Sequence, residues 1–193
     1  VVASTALSMA VGVPIGIWAA HKPRVWRVTQ PILDLMQTMP TFVYLIPILI
    51  LFGLGAAPAL IVTFIFAMPA PVRMTYLGIT SIPKPMIEAG EAFGATKRQL
   101  LWKVELPAAL PSIFSGLRIA IGSAWMLTVT AEMVAVKSGL GYVLWDSYYF
   151  LRYDIVLAAM ISIGLLGYLS DLGLKALMAS VLHWQKGTTV QGR

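Results

Sequence analysis

Residues 83–111 read PKPMIEAGEAFGATKRQLLWKVELPAALP and set charged and apolar residues side by side at helical spacing, between runs that are almost wholly apolar. Pro83 and Pro85 break the chain. Met86 to Phe93 can then form a short helix with Ile87, Gly90 and Phe93 on one face. Gly94 can supply the positive-φ turn that ends it. A second amphipathic helix is predicted from Thr96 to about Leu106, ended by Pro107. Leu100, Leu101, Val104 and Leu106 make its apolar stripe, and Lys97, Arg98 and Lys103 its polar side. Such a pair of helices either lies on lipid or docks in a protein groove. Glu88 and Glu91 suit a protein groove better than an anionic bilayer.

On both sides of this stretch the chain belongs to the bilayer. Of its 193 residues 59% are hydrophobic and 11% charged, with mean hydropathy +0.82, whereas a soluble domain carries roughly 25% charged residues. At ~20 residues per span, helices are predicted near 1–20, 34–53, 58–77, 112–133 and 155–182. The fold class is therefore all-α and polytopic, about five transmembrane helices in one domain over 1–193. An extramembrane catalytic domain is excluded. The sequence opens without methionine inside an apolar run, and no secretory n-region and cleavage site precedes the first span. An N-terminal segment is accordingly expected to be missing. No repeat of 20–50 residues is visible, and five spans do not divide into equal inverted halves, which disfavours a secondary carrier built that way.

The charges set an orientation. Lys22, Arg24 and Arg27 fall between the first two spans, and none falls in the 53–58 turn. Arg73, Lys84, Lys97, Arg98 and Lys103 follow in the long stretch 73–111. The 134–154 loop has Lys137 and Arg152 against Asp146 and Asp154, and the tail adds Lys186 and Arg193. Positive loops lie on the cytoplasmic side, so the fragment starts outside, ends inside, and keeps 83–111 in the cytoplasm. This distribution also accounts for the net charge of +6 without any nucleic-acid partner.

Few ionisable groups enter the spans. Asp34 begins its helix, Glu132 lies near the outer end of the fourth, and Asp171 and Lys175, near the inner end of the fifth, are spaced for an ion pair on one helix. Arg118 lies about two turns inside the fourth helix and can snorkel to the interface. The span centres are otherwise uncharged, which disfavours a self-sufficient channel or carrier driven by protons or sodium. There is no cysteine, and His21 and His183 are far apart, so no metal site is expected. A membrane enzyme is disfavoured too, with Glu132 and nearby Trp125 the one pairing to keep in view. No GxxxxGK[ST] phosphate loop is present, so uphill transport would draw its energy from a partner.

The motif in 83–111 resembles the EAA loop of permease subunits of type I ABC importers. That pattern is Glu-Ala-Ala, three residues, Gly, nine residues, then Ile-x-Leu-Pro. Glu88-Ala89-Gly90, Gly94, Val104, Leu106 and Pro107 fall at this spacing, with Gly for the third Ala and Val for Ile. The resemblance implies that 83–111 is a cytoplasmic coupling loop docking on an ATPase. Glu88, Ala89, Gly90 and Gly94 would make the contact, and Leu106 and Pro107 would position the next span. It also implies a dimer of ATPase subunits, a second permease subunit (a homodimer partner) and an extracytoplasmic substrate-binding protein, all in a bacterial plasma membrane. No cofactor would sit in this chain, since ATP and magnesium belong to the ATPase.

On solute the resemblance divides. Residues 33–82, with LDLMQTMPTFVYLIPILILFGLG and FAMPAPVRMTYLGI, resemble permeases for glycine betaine and related quaternary amines. Residues 131–172, with AEMVAVKSGLGYVLWDSYYFLRYD and GLLGYLSD, resemble those for taurine, nitrate and sulfonates. A small zwitterionic nitrogen compound taken up as an osmolyte is the first expectation, and taurine, another sulfonate or nitrate the second. Aromatic faces attract quaternary ammonium groups, which makes Phe42 and Tyr44 beside the Pro40 kink candidates for the solute path, with Trp125 and Glu132. Packing explains the same rings. Trp145, Tyr148, Tyr149, Phe150 and Tyr153 read equally as an interfacial belt.

Overall fold

The first apolar run folds as α1, Val2–His21, whose 20 residues reach across a hydrocarbon core of ~30 Å. In the computed structural model, which describes residues 1–183, all the regular structure is helical. The chain continues as α2 (Pro23–Thr38), α3 (Thr41–Phe52), α4 (Ala56–Ala67), α5 (Pro69–Thr80) and α6 (Lys84–Ala92). It ends as α7 (Lys97–Leu100), a π-helical turn (Leu101–Glu105), α8 (Leu106–Ala135), α9 (Leu140–Tyr149) and α10 (Tyr153–Val181). Lys186 and Arg193 lie outside the described residues.

Three local expectations are corrected. The span read at 34–53 is two helices, α2 and α3, bent by 93°. Pro40 pushes its predecessor out of the helical region, and Met39 takes φ −75°, ψ 133°. α2 starts at Pro23, inside the basic stretch between the first two runs, because proline costs little in a first turn, where its missing N–H has no helical partner to lose. The 134–154 loop contains a further helix, α9. Pro107, finally, does not end the amphipathic helix. Lys97 to Ala135 run on as one rod of 39 residues. The π-helical turn widens the helix just before Pro107, with the Leu106 N–H reaching Leu101 O, so the ring is accommodated without a break.

Close approach of backbones organises the bundle around α5. A Cβ on Gly16 of α1 would stand 2.6 Å from Thr75 Cβ, and one on Gly12 2.8 Å from Pro71 Cβ. From the other side, a Cβ on Gly116 of α8 would stand 2.9 Å from Met74 Cβ. Without a hydrophobic force between helices in lipid, such small-residue contacts are what allow tight packing. α4 and α5 make one rod of 25 residues, since Met68 keeps helical angles (φ −61°, ψ −36°) ahead of the buried Pro69 and Pro71. α10 meets α9 and, along a narrower seam, α8, where Leu174 and Leu182 (just past the helix end) pack on Phe114.

Candidate functional site

The rod's α7 end carries the motif. Thr96 starts it with a reciprocal cap: Gln99 N donates to Thr96 Oγ1 at 3.3 Å, and Thr96 N to Gln99 Oε1 at 2.8 Å. Ahead of it, α6 closes on a turn in which Gly94 has φ 77° and its N–H bonds Glu91 O at 2.8 Å. Gly90 faces inward, and a Cβ there would lie 2.7 Å from Leu100 Cδ1. At that position α6 lies against the side chains of Leu100 and Val104, and the end of the Leu100 side chain would have to shift to admit the motif's alanine. Glu88 and Ala89 are exposed on α6. Leu106 packs with Ile79, Ala109 and Ile113, and Pro107 is partly buried beside it. Phe93, read above as part of the helix face, is 92% exposed at the tip.

A second tie holds this end to the bundle. His21, the last residue of α1, places Nε2 2.9 Å from Oε2 of the buried Glu105 in the π-helical turn. Its Nδ1 lies 2.9 Å from Ile17 O.

The candidate path residues are not gathered at one point. Tyr44 donates its hydroxyl to Met36 O at 2.8 Å, so it clamps the α2–α3 bend at Pro40. Phe42 is half exposed on α3. Trp125 Nε1 donates to Ser170 Oγ at 3.2 Å and joins α8 to α10. Glu132 accepts from Gly141 N at 2.9 Å, so its carboxylate sits on the N-terminal turn of α9, where the helix dipole favours it. Glu132 also lines a cavity of about 240 Å³ with Ser4, Thr63, Thr128 and Ser138. The α9 aromatics pack on one another, Trp145 and Tyr149 edge to face at 5.3 Å between ring centres.

Some relations escaped the sequence. Arg118 does not simply snorkel: its Nε and Nη2 donate to Asp171 at 2.7 and 3.1 Å. Lys175 pairs with the same carboxylate at 2.8 Å, at the spacing expected. Asp34 pairs with Arg73, joining α2 to α5. The Gly12-x-x-x-Gly16 spacing was a signal available for the α1–α5 contact, and Thr96-x-x-Gln99 for the cap. Among the described residues, no group of three or more His, Asp or Glu could hold a metal ion.

The described residues thus form a bundle of helices long and apolar enough to cross a membrane, and its longest rod ends in a capped helix–turn–helix. Over residues 12–183 the chain matches the family described as binding-protein-dependent transport system inner membrane component, and it belongs to that family. It is 50% identical over 131 residues to the glycine betaine/proline betaine transport system permease protein ProW of Salmonella typhimurium, covering 68% of this chain and 37% of that one. It is likewise 50% identical over 141 residues to the glycine betaine transport system permease protein OpuAB of Bacillus subtilis, covering 73% and 50%. The taurine transport system permease protein TauC of Escherichia coli is 37% identical over 174 residues, covering 90% and 63%. The chain thus spans half or less of the betaine permeases it matches. A solved structure of the MetNI methionine ABC transporter in an inward-facing conformation superposes with a TM-score of 0.79 at 22% identity, covering 92% of this chain and 89% of that one. The fold is therefore that of a type I ABC importer permease.

Proposed function

We propose that this chain is the membrane-spanning subunit of an ATP-driven importer for glycine betaine or a closely related quaternary ammonium zwitterion. The supporting observation is the 50% identity to two permeases named for glycine betaine. Fragment start outside and C-terminus in the cytoplasm, the chain presents α6 to an ATPase subunit, with Glu88, Ala89, Gly90 and the Gly94 turn at the contact. Leu106 and Pro107 transmit the motion into α8. Two permease copies, two ATPases and an extracytoplasmic binding protein complete the machine. ATP and magnesium are bound and hydrolysed on the ATPase, and this chain carries no reaction of its own. Pro40, Phe42, Tyr44, Trp125 and Glu132 border the path through the shape of the α2–α3 bend, the α8–α10 seam and the α8–α9 corner.

A second reading, uptake of taurine, another sulfonate or nitrate, is favoured by the TauC match, which runs over 90% of the chain. The test is purification of the full-length protein with its ATPase, followed by hydrolysis assays with binding proteins loaded with glycine betaine or taurine. Stimulation by the betaine-loaded protein is expected. Stimulation by the taurine-loaded protein alone moves the solute to the second reading, and failure to bind any ATPase returns a self-sufficient channel or carrier to first place.

A further inference from the structure

The cluster of Arg118, Asp171 and Lys175 has no part in the coupling motif or the path residues above. It joins α8 to α10 about 18 Å along α8 from Leu106, inside two helices long and apolar enough to cross a membrane. Asp171 takes three hydrogen bonds, two from Arg118 and one from Lys175. Arginine has five N–H donors and lysine three, so most donors of the pair are left over, and two cations against one carboxylate leave one positive charge in excess. The side chains of Arg118 and Lys175 are 55% and 51% exposed. Hydrocarbon does not tolerate exposed charge with unspent donors, and such groups face protein or a watery cavity. Beside them, Gly122 is open: nothing among the described residues lies within 4 Å of a Cβ built there.

We propose that Arg118 and Lys175 line a water-filled recess on the solute path and receive the anionic end, carboxylate or sulfonate, of the translocated zwitterion. The identification of the solute as a zwitterion rests on the function proposed above. The guanidinium fork matches a carboxylate or sulfonate geometrically. Asp171 already occupies one edge of that fork, so the excess charge attracts an anion without holding it tightly, as a conducting site requires. The same chemistry serves glycine betaine and taurine, which differ in the nitrogen and share an anionic end.

These 193 residues hold no cysteine, so labelling of an introduced thiol is read against the parent full-length assembly carried through the same treatment. Gly122→Cys, one turn along α8 from Arg118, is introduced into the full-length permease assembled with its ATPase in inverted vesicles. It is expected to react with sulfonate-bearing and trimethylammonium-bearing methanethiosulfonates, the anionic reagent about fivefold faster after correction for a free thiol. Arg118→Gln should abolish that preference while Lys175 keeps Asp171 paired. No reaction with either reagent puts lipid tails or a second protein surface over the cluster. Faster reaction with the cationic reagent puts a lipid phosphate there. Either result overturns the proposal.

Protection supplies the second arm. Glycine betaine in the medium should slow modification about threefold, choline at equal concentration should not, and Lys175→Gln should lose the protection. Equal protection by choline, or none by any zwitterion, overturns the anion role. Protection by taurine and not by glycine betaine keeps the anion role and refutes the betaine reading instead.

Discussion

Single glycines in this protein separate into those that admit a neighbour and those that shape the backbone. Gly16 belongs to the first kind, and Gly16→Ala should cost about 1–3 kcal/mol through forced separation of α1 from α5. Thermal unfolding in detergent checks this, and Gly122→Ala is the control, expected to be neutral or stabilising because the space there is open. Gly94 belongs to the second kind. At φ 77° a leucine is strained by roughly 1–3 kcal/mol, confined to the α6 turn. Gly94→Leu should leave the protein folded and inserted while ATP hydrolysis continues and uptake falls at least about tenfold; normal uptake by a well-expressed variant would refute the coupling role. Gly94 was legible in the sequence because a helix-ending glycine has a local cause. Arg118 with Asp171 was not, since 53 residues separate them and their meeting depends on how α10 lies on α8.

At the scale of elements, the ends and joints of helices matter more than their apolar faces. Thr96→Ala removes one half of the reciprocal cap and should destabilise α7 by about 1 kcal/mol; hydrogen exchange at residues 97–100 should quicken accordingly. Pro107→Ala restores a backbone donor and should let the π-helical turn tighten to α-helical pairing. Removing one residue's worth of bulge rotates everything beyond it by ~100° relative to α6. Uptake should then fall although α8 itself stays helical, and accelerated exchange throughout α8 would instead mean that the rod had come apart. The long apolar runs gave α1, the α4–α5 rod and α10 directly. α2 was hidden by its charges and Pro31, and α9 by Gly139 and Gly141 at its start and by aromatic residues on several sides. Pro107 misled for a definite reason: proline breaks an α-helix, while a π-helical turn accepts it.

For the molecule as a whole, the sides proposed from the arrangement of charge are open to direct labelling. These 193 residues hold no cysteine, and Phe93→Cys and Tyr149→Cys, both at well-exposed positions, test whether the two ends of the bundle lie on opposite faces, against the parent protein as the labelling baseline. An impermeant thiol reagent should label Tyr149→Cys in intact cells and Phe93→Cys only in inverted vesicles. The reverse pattern would overturn the orientation and, with it, docking of α6 on a cytoplasmic ATPase. The helix–turn–helix of 84–100 was legible in the sequence because its turn glycine and cap residues lie within one short stretch. The solute path was not, because Tyr44, Trp125 and Glu132 each spend their polar atoms on holding helices together, and composition alone does not separate that duty from contact with solute.

The unbroken run from Lys97 to Ala135 has a mechanical consequence. At 39 residues it is ~58 Å long, about twice the hydrocarbon thickness, and it is pinned near its middle where Gly116 meets α5. A beam held there acts as a lever. A tilt of ~10° swings each tip by ~5 Å, close to one helical turn. A push of a few ångströms on α6 would thus reach the far corner, where Glu132 holds α9, as a displacement of similar size and opposite sense.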